Sequence, residues 1–260
     1  MNIVVLLKQV PDLVEELVVE AGGTALDQSE LRFVLNEFDE HALEQALLLK
    51  EEHGGQVKVL ALDVGEVEDT LFTALAKGAT SAAKITGPFE WWVDNHTAAR
   101  IFQKVLEGMP YDLILTGVQA IGDLDGQIGA MVASTLGLPY VGVLSGLRVD
   151  DGGQVARVRK DYPGSVVSEI GVRLPAVLGI QSAAQPPRYV PVARVRQAMK
   201  TARIEAIPAP DVGAGGGPPG LRVRRMFKPD VAERAEILSG SMDGIVGRVV
   251  GILSERGLVR

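Results

Sequence analysis

Asp112-Leu113-Ile114-Leu115-Thr116-Gly117-Val118-Gln119-Ala120-Ile121-Gly122-Asp123-Leu124-Asp125-Gly126-Gln127-Ile128-Gly129 places a short apolar run directly before a glycine-containing loop. Residues 112–116 read as a buried strand, and Ala130–Leu136 continues the loop as a helix. A strand, a loop and a helix in that order make the turn at which parallel α/β sheets bind ligands. There the strands end at their carboxyl edge and a helix N-terminus offers amides to a phosphate. Glycines at 117, 122, 126 and 129 permit close backbone approach. Asp123 and Asp125 would repel a phosphate, so they must point away from it or cap the helix. The loop contains neither a Walker motif nor Gly-x-Gly-x-x-Gly, and alone it specifies no ligand.

Working outward, Ile3–Leu7, Val57–Leu62 and Ala82–Thr86 read as further buried strands. Phe38, Ala42, Leu43, Ala46, Leu47 and Leu49 recur at helical spacing, as do Val67, Leu71, Ala74 and Leu75, and Ala98, Ile101, Phe102, Val105 and Leu106. Gly78 and Gly108 stand where helices should stop. This alternation predicts a doubly wound, mainly parallel α/β sheet of Rossmann-like nucleotide-binding type, joined by right-handed crossovers. Beyond Pro139 the pattern changes. Tyr140–Val149, Gln154–Lys160, Val166–Arg173 and Ala176–Gln181 are strand-like and separated by turn signals, which predicts an added section of antiparallel pairs. Ile207–Gly220 is a Pro/Gly/Ala linker, and Ile245, Val249, Ile252 and Leu253 form one stripe of a C-terminal helical arm.

Composition narrows the function. With 260 residues and no cysteine, the chain can bury a full core but has no disulfides, thiolate metal sites or cysteine nucleophile. A net charge of −7 argues against a nucleic-acid partner, and no apolar run is long enough for membrane insertion. Met1–Lys8 reads as a strand rather than a signal peptide, and the expected location is cytoplasmic. His41, His53 and His96 have no metal-ligand spacing. Asp39 and Asp161 form no acid–base pairing visible in the sequence, so turnover by this chain alone is not expected. Basic residues gather late, at Arg188, Arg194, Arg196, Lys200 and Arg203, then Arg222, Arg224, Arg225 and Lys228. That cluster is either a solvated face or a patch for an acidic partner.

Pro187-Arg188-Tyr189, preceded by Leu174-Pro175-Ala176-Val177 and, upstream, by Asn36-Glu37-Phe38-Asp39-Glu40 and Gly117-Val118-Gln119-Ala120-Ile121, resembles the β subunit of electron-transfer flavoproteins. The resemblance covers nearly the whole chain. It implies an adenine nucleotide, AMP in most members, held by Leu6, by Asn36, Glu37, Phe38 and Asp39, by Leu62, and by the loop Gly117, Val118, Gln119, Ala120, Ile121, Gly122, Asp123, Leu124, Asp125, Gly126, Gln127 and Ile128. Within that loop Val118 replaces the family's lysine, Gly126 its asparagine and Ile128 its threonine. Bifurcating members carry an apolar residue at the last position, hold a second FAD there and take electrons from NADH.

The resemblance further implies that a partner α subunit carries most of the redox FAD. Electrons would pass from acyl-CoA or related flavin dehydrogenases to a membrane quinone reductase. The segment Arg188, Tyr189, Val190, Pro191, Val192, Ala193, Arg194 and Val195 would be the recognition loop for the dehydrogenase, with Val192 at the family's anchoring leucine. Leu13 stands where many members place a tyrosine near the flavin. The expected organisation is a nucleotide-binding α/β domain at 1–183, a recognition loop and helix at 184–206, and a linker with a C-terminal arm packing on the α subunit at 207–260. A non-redox nucleotide-binding regulatory domain is the alternative from a different functional class.

Overall fold

The structure, a computed structural model, describes residues 1–29, 31–65, 67–89, 92–123, 127–150, 152–212, 223–228 and 235–259. In chain order its elements are β1 (Asn2–Leu7), β2 (Gln9–Pro11), β3 (Phe33–Leu35), α1 (Glu37–His53), β4 (Gln56–Leu62), α2 (Val67–Lys77), β5 (Ser81–Thr86), α3 (Asn95–Leu106) and β6 (Leu113–Gly117). There follow α4 (Ile128–Leu136), β7 (Tyr140–Leu144), β8 (Gly146–Val149), β9 (Val155–Tyr162), β10 (Val166–Arg173), β11 (Ala176–Ile180), α5 (Val192–Thr201), β12 (Ile204–Pro208) and α6 (Met242–Glu255).

Seven strands form one parallel sheet in the order β12-β5-β4-β1-β6-β11-β7. β1 shows why its residues suit a central strand. Ile3, Val5 and Leu7 face a core shared with α1 and α2, while Val4 and Leu6 face a second core built with α3 and α4. Successive side chains of a strand point to opposite faces, so an unbroken apolar run is what a sheet covered on both sides requires. This is the doubly wound α/β architecture expected from the alternation of strands and helices.

The second half departs from expectation in two respects. β8, β9 and β10 do form an antiparallel sheet. However, β7 and β11 join the parallel sheet, with β11 inserted between β6 and β7. The reason is burial: all five residues of β11 are inaccessible, which an antiparallel sheet with one wet face would not provide. β12 is a further departure. Ile204–Pro208 precede and overlap the expected linker, yet they pair with β5 as the edge strand of the main sheet. Proline is tolerated there because an edge leaves one side of the ladder unpaired.

The chain divides into two compact units, Met1–Met226 and Phe227–Arg260. In the second, Ser241 caps α6 by accepting from the Gly244 amide, and Arg248 pairs with Glu236 at 2.7 Å. None of the residues of α6 is buried, and Val246, Val249 and Val250 are exposed.

Candidate nucleotide cleft and docking loop

The strand order reverses between β1 and β6: from β1 the chain builds outward through β4 and β5, then returns to place β6 on the other side. Open α/β sheets bind ligands in the crevice at such a switch point, above the carboxyl ends of the strands. A cleft lies there. Leu6, Leu7 and Lys8 at the end of β1 and Leu62 and Val64 after β4 line it. Asp39, Asn95 and Ile128, from the first turns of α1, α3 and α4, close it. Trp92, Val93, Ala98 and Phe102 supply apolar walls. Its atom-free volume, counted out to the mouth, is about 560 Å³.

Two polar clusters hold this rim in shape. The first centres on Asp39, a buried residue in the first turn of α1. Its Oδ1 accepts from the Gly117 amide at 2.6 Å and its Oδ2 from the Lys8 amide at 2.9 Å, which ties α1 to the ends of β1 and β6. Burial pushes its pKa up from 3.8 to about 7, against the opposing pull of the Gly117 amide, Asn36, the Lys8 amide and the Lys8 charge. Gly117 is required at this junction. A Cβ there would lie 2.5 Å from Asp39 Oδ1 and 2.7 Å from the Asp39 amide nitrogen. Its close backbone approach is therefore to α1.

The second cluster centres on Asp123, whose side chain is only 5% exposed. Lys8 Nζ donates to its Oδ1 at 2.6 Å, Asn95 Nδ2 donates to the same oxygen at 2.9 Å, and Oδ2 accepts from the Ala120 amide at 2.7 Å. Lys8 also donates to Asn95 Oδ1 at 3.0 Å. The Asp123 carboxylate thus turns inward and is neutralised by Lys8, so it presents no bare negative charge to an anion. It closes the Ala120–Asp123 turn, and Asn36 Nδ2 secures the same loop by donating to the Gln119 carbonyl at 2.9 Å. Asn36 acts through that contact, since its side chain makes no capping bond to α1.

Of the remaining loop positions, Val118 and Ala120 are buried, Gln119 and Ile121 are exposed and Gly122 is half-buried. Gln127 and Ile128 lead into α4. Gln127 provides no side-chain cap, and its Oε1 accepts from Tyr140 Oη at 3.2 Å. Burial raises the Tyr140 pKa to about 12, so this phenol remains a donor. Leu124, Asp125 and Gly126 lie outside the described residues. Among the first residues of α1, Glu37 is exposed and Phe38 half-buried. Asn95, Trp92 and Phe102 were not singled out in the sequence as site residues. The only local signal was Asp94-Asn95 before an amphipathic helix, where Asp94 caps α3 through the Thr97 amide at 3.0 Å.

The cleft suits a planar base carried on an anionic group. Its walls are apolar, Gln9 Oε1 on its lining is a buried acceptor without a partner, and the uncapped N-terminus of α4 stands at its edge. A second, apolar groove adjoins it. This groove shares Lys8, Gln9 and Trp92 with the cleft and is bounded by Val10, Leu13, Ile121 and Met226.

On the opposite flank of α1, the chain leaving β11 passes over His41, Glu44 and Gln45 before α5 begins. Arg188 is committed inward there, with Nη2 2.8 Å from Glu44 Oε1 and Nη1 2.5 Å from Glu51 Oε1. Glu44 first, then Glu51, raise the guanidinium pKa further. Tyr189 and Val192, by contrast, are 84% and 60% exposed. Pro191, Ala193 and Arg194 are also exposed, while Val190 and Val195 are half-buried.

Residues 24–212 match the family model described as the electron transfer flavoprotein domain. The electron transfer flavoprotein subunit beta of Methylophilus methylotrophus is 30% identical, across 98% of each chain. The chain belongs to the electron-transfer flavoprotein family, as a β subunit. It is also 29% identical to the caffeyl-CoA reductase-Etf complex subunit CarD of Acetobacterium woodii over the whole of both chains. Protein FixA of Azorhizobium caulinodans is 32% identical across 93% of this chain and 89% of its own. Membership in this family implies electron transfer that involves flavin, together with an α-subunit partner. Among the described residues no helix is long and apolar enough to cross a membrane, and no group of three or more His, Asp or Glu could hold a metal.

Proposed function

We propose that this chain is the β subunit of a heterodimeric electron carrier that binds an adenine nucleotide in the switch-point cleft and engages flavin dehydrogenases through residues 188–195. AMP is the ligand in the reading we favour. The observation that carries it is the inward turn of Asp123 onto Lys8 and Asn95, which removes that carboxylate's electrostatic objection to a phosphate beside α4. Lys8, Asn95, Asn36 and Asp39 would shape the site, Gln9 would accept from the base and the α4 amides would face the phosphate.

The flavin supplies the redox chemistry, and the α subunit provides most of its site. This chain's residues bind and orient. Tyr189 and Val192 offer an exposed aromatic and aliphatic pair for a dehydrogenase pocket, and Arg194 lies at its rim. The unburied apolar face of α6 would pack on the α subunit as an arm, with 1–183 as the nucleotide-binding domain and 184–206 as loop and helix. Donors are acyl-CoA or related dehydrogenases, and a membrane quinone reductase is the acceptor.

Two observations favour a second reading, in which this chain holds its own FAD and takes electrons from NADH. The apolar groove adjoining the cleft would extend the site beyond a mononucleotide, and Ile128 offers no hydroxyl at the cleft edge. Co-expression tests what the two readings share. Both expect a yellow heterodimer with the α subunit, and the favoured reading alone also expects the isolated chain to lack stoichiometric redox flavin. A chain that never assembles with α would contradict both.

A further inference from the structure

The segment between β11 and α5 has no ladder of its own; its first two amides donate to the Leu144 carbonyl, and three later ones find acceptors on α1. His41 Nδ1 accepts from the Ala183 amide at 3.2 Å, Gln45 Oε1 from the Ala184 amide at 3.0 Å and Glu44 Oε2 from the Arg188 amide at 2.9 Å. Glu44 does more than the other two. Its carboxylate also takes the Arg188 guanidinium through Nε at 3.0 Å and Nη2 at 2.8 Å. Its side chain is 3% exposed. A buried carboxylate is held only if it is paired, and a forked guanidinium with a backbone amide satisfies it in one fixed geometry. Glu51, on the rim, adds a solvated contact of lesser weight.

Arg188 is the residue immediately before Tyr189, and Val192 follows four residues after Arg188 as the first residue of α5. Fixing both the amide and the side chain of Arg188 therefore aims the exposed pair. We propose that Glu44 is the positioning residue of the docking loop: through Arg188 it holds Tyr189 and Val192 in a preformed arrangement, so that a flavin dehydrogenase meets an ordered surface. The inference rests on the reading of 188–195 as that surface. Binding to a preordered loop avoids the entropy of ordering it, so releasing Arg188 weakens encounter and docking without altering the flavin.

The test uses the assembled heterodimer with Glu44→Ala, Glu44→Gln and Glu51→Gln, and Val192→Asp as reference. Hydrogen exchange reads the Arg188 and Tyr189 amides. Reduction by an acyl-CoA dehydrogenase and its acyl-CoA substrate gives KM and kcat for the carrier. Glu44→Ala should speed exchange at Arg188 roughly tenfold or more, since a charge-assisted bond is lost. It should raise KM several-fold with kcat and flavin content unchanged. Glu44→Gln, which keeps an acceptor for the amide, should fall between that variant and wild type, and Glu51→Gln should change little. Unchanged exchange in Glu44→Ala overturns the clamp whatever the loop does. Faster exchange with an unchanged KM, while Val192→Asp raises KM, overturns the positioning role alone. If neither variant moves KM, the docking reading fails and the proposal with it.

Discussion

The cleft rim and the docking loop are built on the same helix, and they use its side chains in opposite ways. At the first turn of α1, Asn36 and Asp39 turn toward the ends of β1 and β6, where they bond the Lys8 and Gly117 amides and the Gln119 carbonyl. Along its flank, His41, Glu44 and Gln45 reach outward to hold a segment whose apolar residues stay in solvent. Buried polar groups give both regions a defined shape. In the function proposed above, the exposure of Tyr189 and Val192 is what separates a docking surface for a protein from a crevice for a small ligand.

The comparison breaks most visibly at Val192. An aspartate there places a charge where an apolar anchor should enter a partner pocket. Electron transfer from the dehydrogenase should fall roughly a hundredfold, as expected for loss of an interface hot spot. Nucleotide content and Tm should stay near wild type, and stopped-flow reduction together with a thermal melt reads both. Lys8→Met should do the reverse. It leaves the Asp123 carboxylate buried without its cation, at about 2–3 kcal/mol given that Lys8 is partly solvated. Tm and nucleotide retention should drop together while the exposure of the docking loop to protease is unchanged. Normal retention would show that the Lys8–Asp123 pair is not part of the site.

Gly117→Ala sharpens the same contrast at smaller scale. Its methyl must displace Asp39, at about 1–3 kcal/mol for an overpacked junction, and denaturant unfolding would report the loss. Asp39 itself predicts a slope rather than a step. The folded protein holds its proton more tightly than the unfolded chain, so its contribution to stability is fully present only below about pH 4. That contribution falls as the pH rises to about 7 and is level above. Asp39→Asn should remove that slope from a plot of Tm against pH; an unaltered slope would assign it to another group. Arg194→Glu should have the smallest effect, a steeper salt dependence of electron transfer, because rim charges act mainly on encounter rate.

Most of the sheet could be read from the sequence because its strands are apolar runs set between helices of clear period. β11 could not be assigned to a partner that way. Its run showed burial, but periodicity does not say which strand lies alongside, and the turn signals among the strands before it pointed to antiparallel pairing. β12 looked like the start of the linker because an edge strand carries exposed residues and tolerates proline. At the site, loop and helix positions were legible. The assembly of Lys8, Asn95 and Asp123 was not, since these residues are separated by up to 115 positions and meet only through the fold. Arg188 gave the opposite difficulty. It belonged to a basic run that reads as surface, yet its partners Glu44 and Glu51 lie 144 and 137 residues away.

The central claim is that the switch-point cleft is an adenine-nucleotide site in a flavin-dependent carrier. It is tested most directly by purifying the heterodimer, denaturing it and quantifying what is released. The account predicts one AMP per β chain beside one FAD per heterodimer. Two FAD and no AMP would replace it with the reading in which this chain holds its own flavin. A heterodimer that releases no adenine nucleotide beyond the single FAD would contradict the cleft assignment altogether.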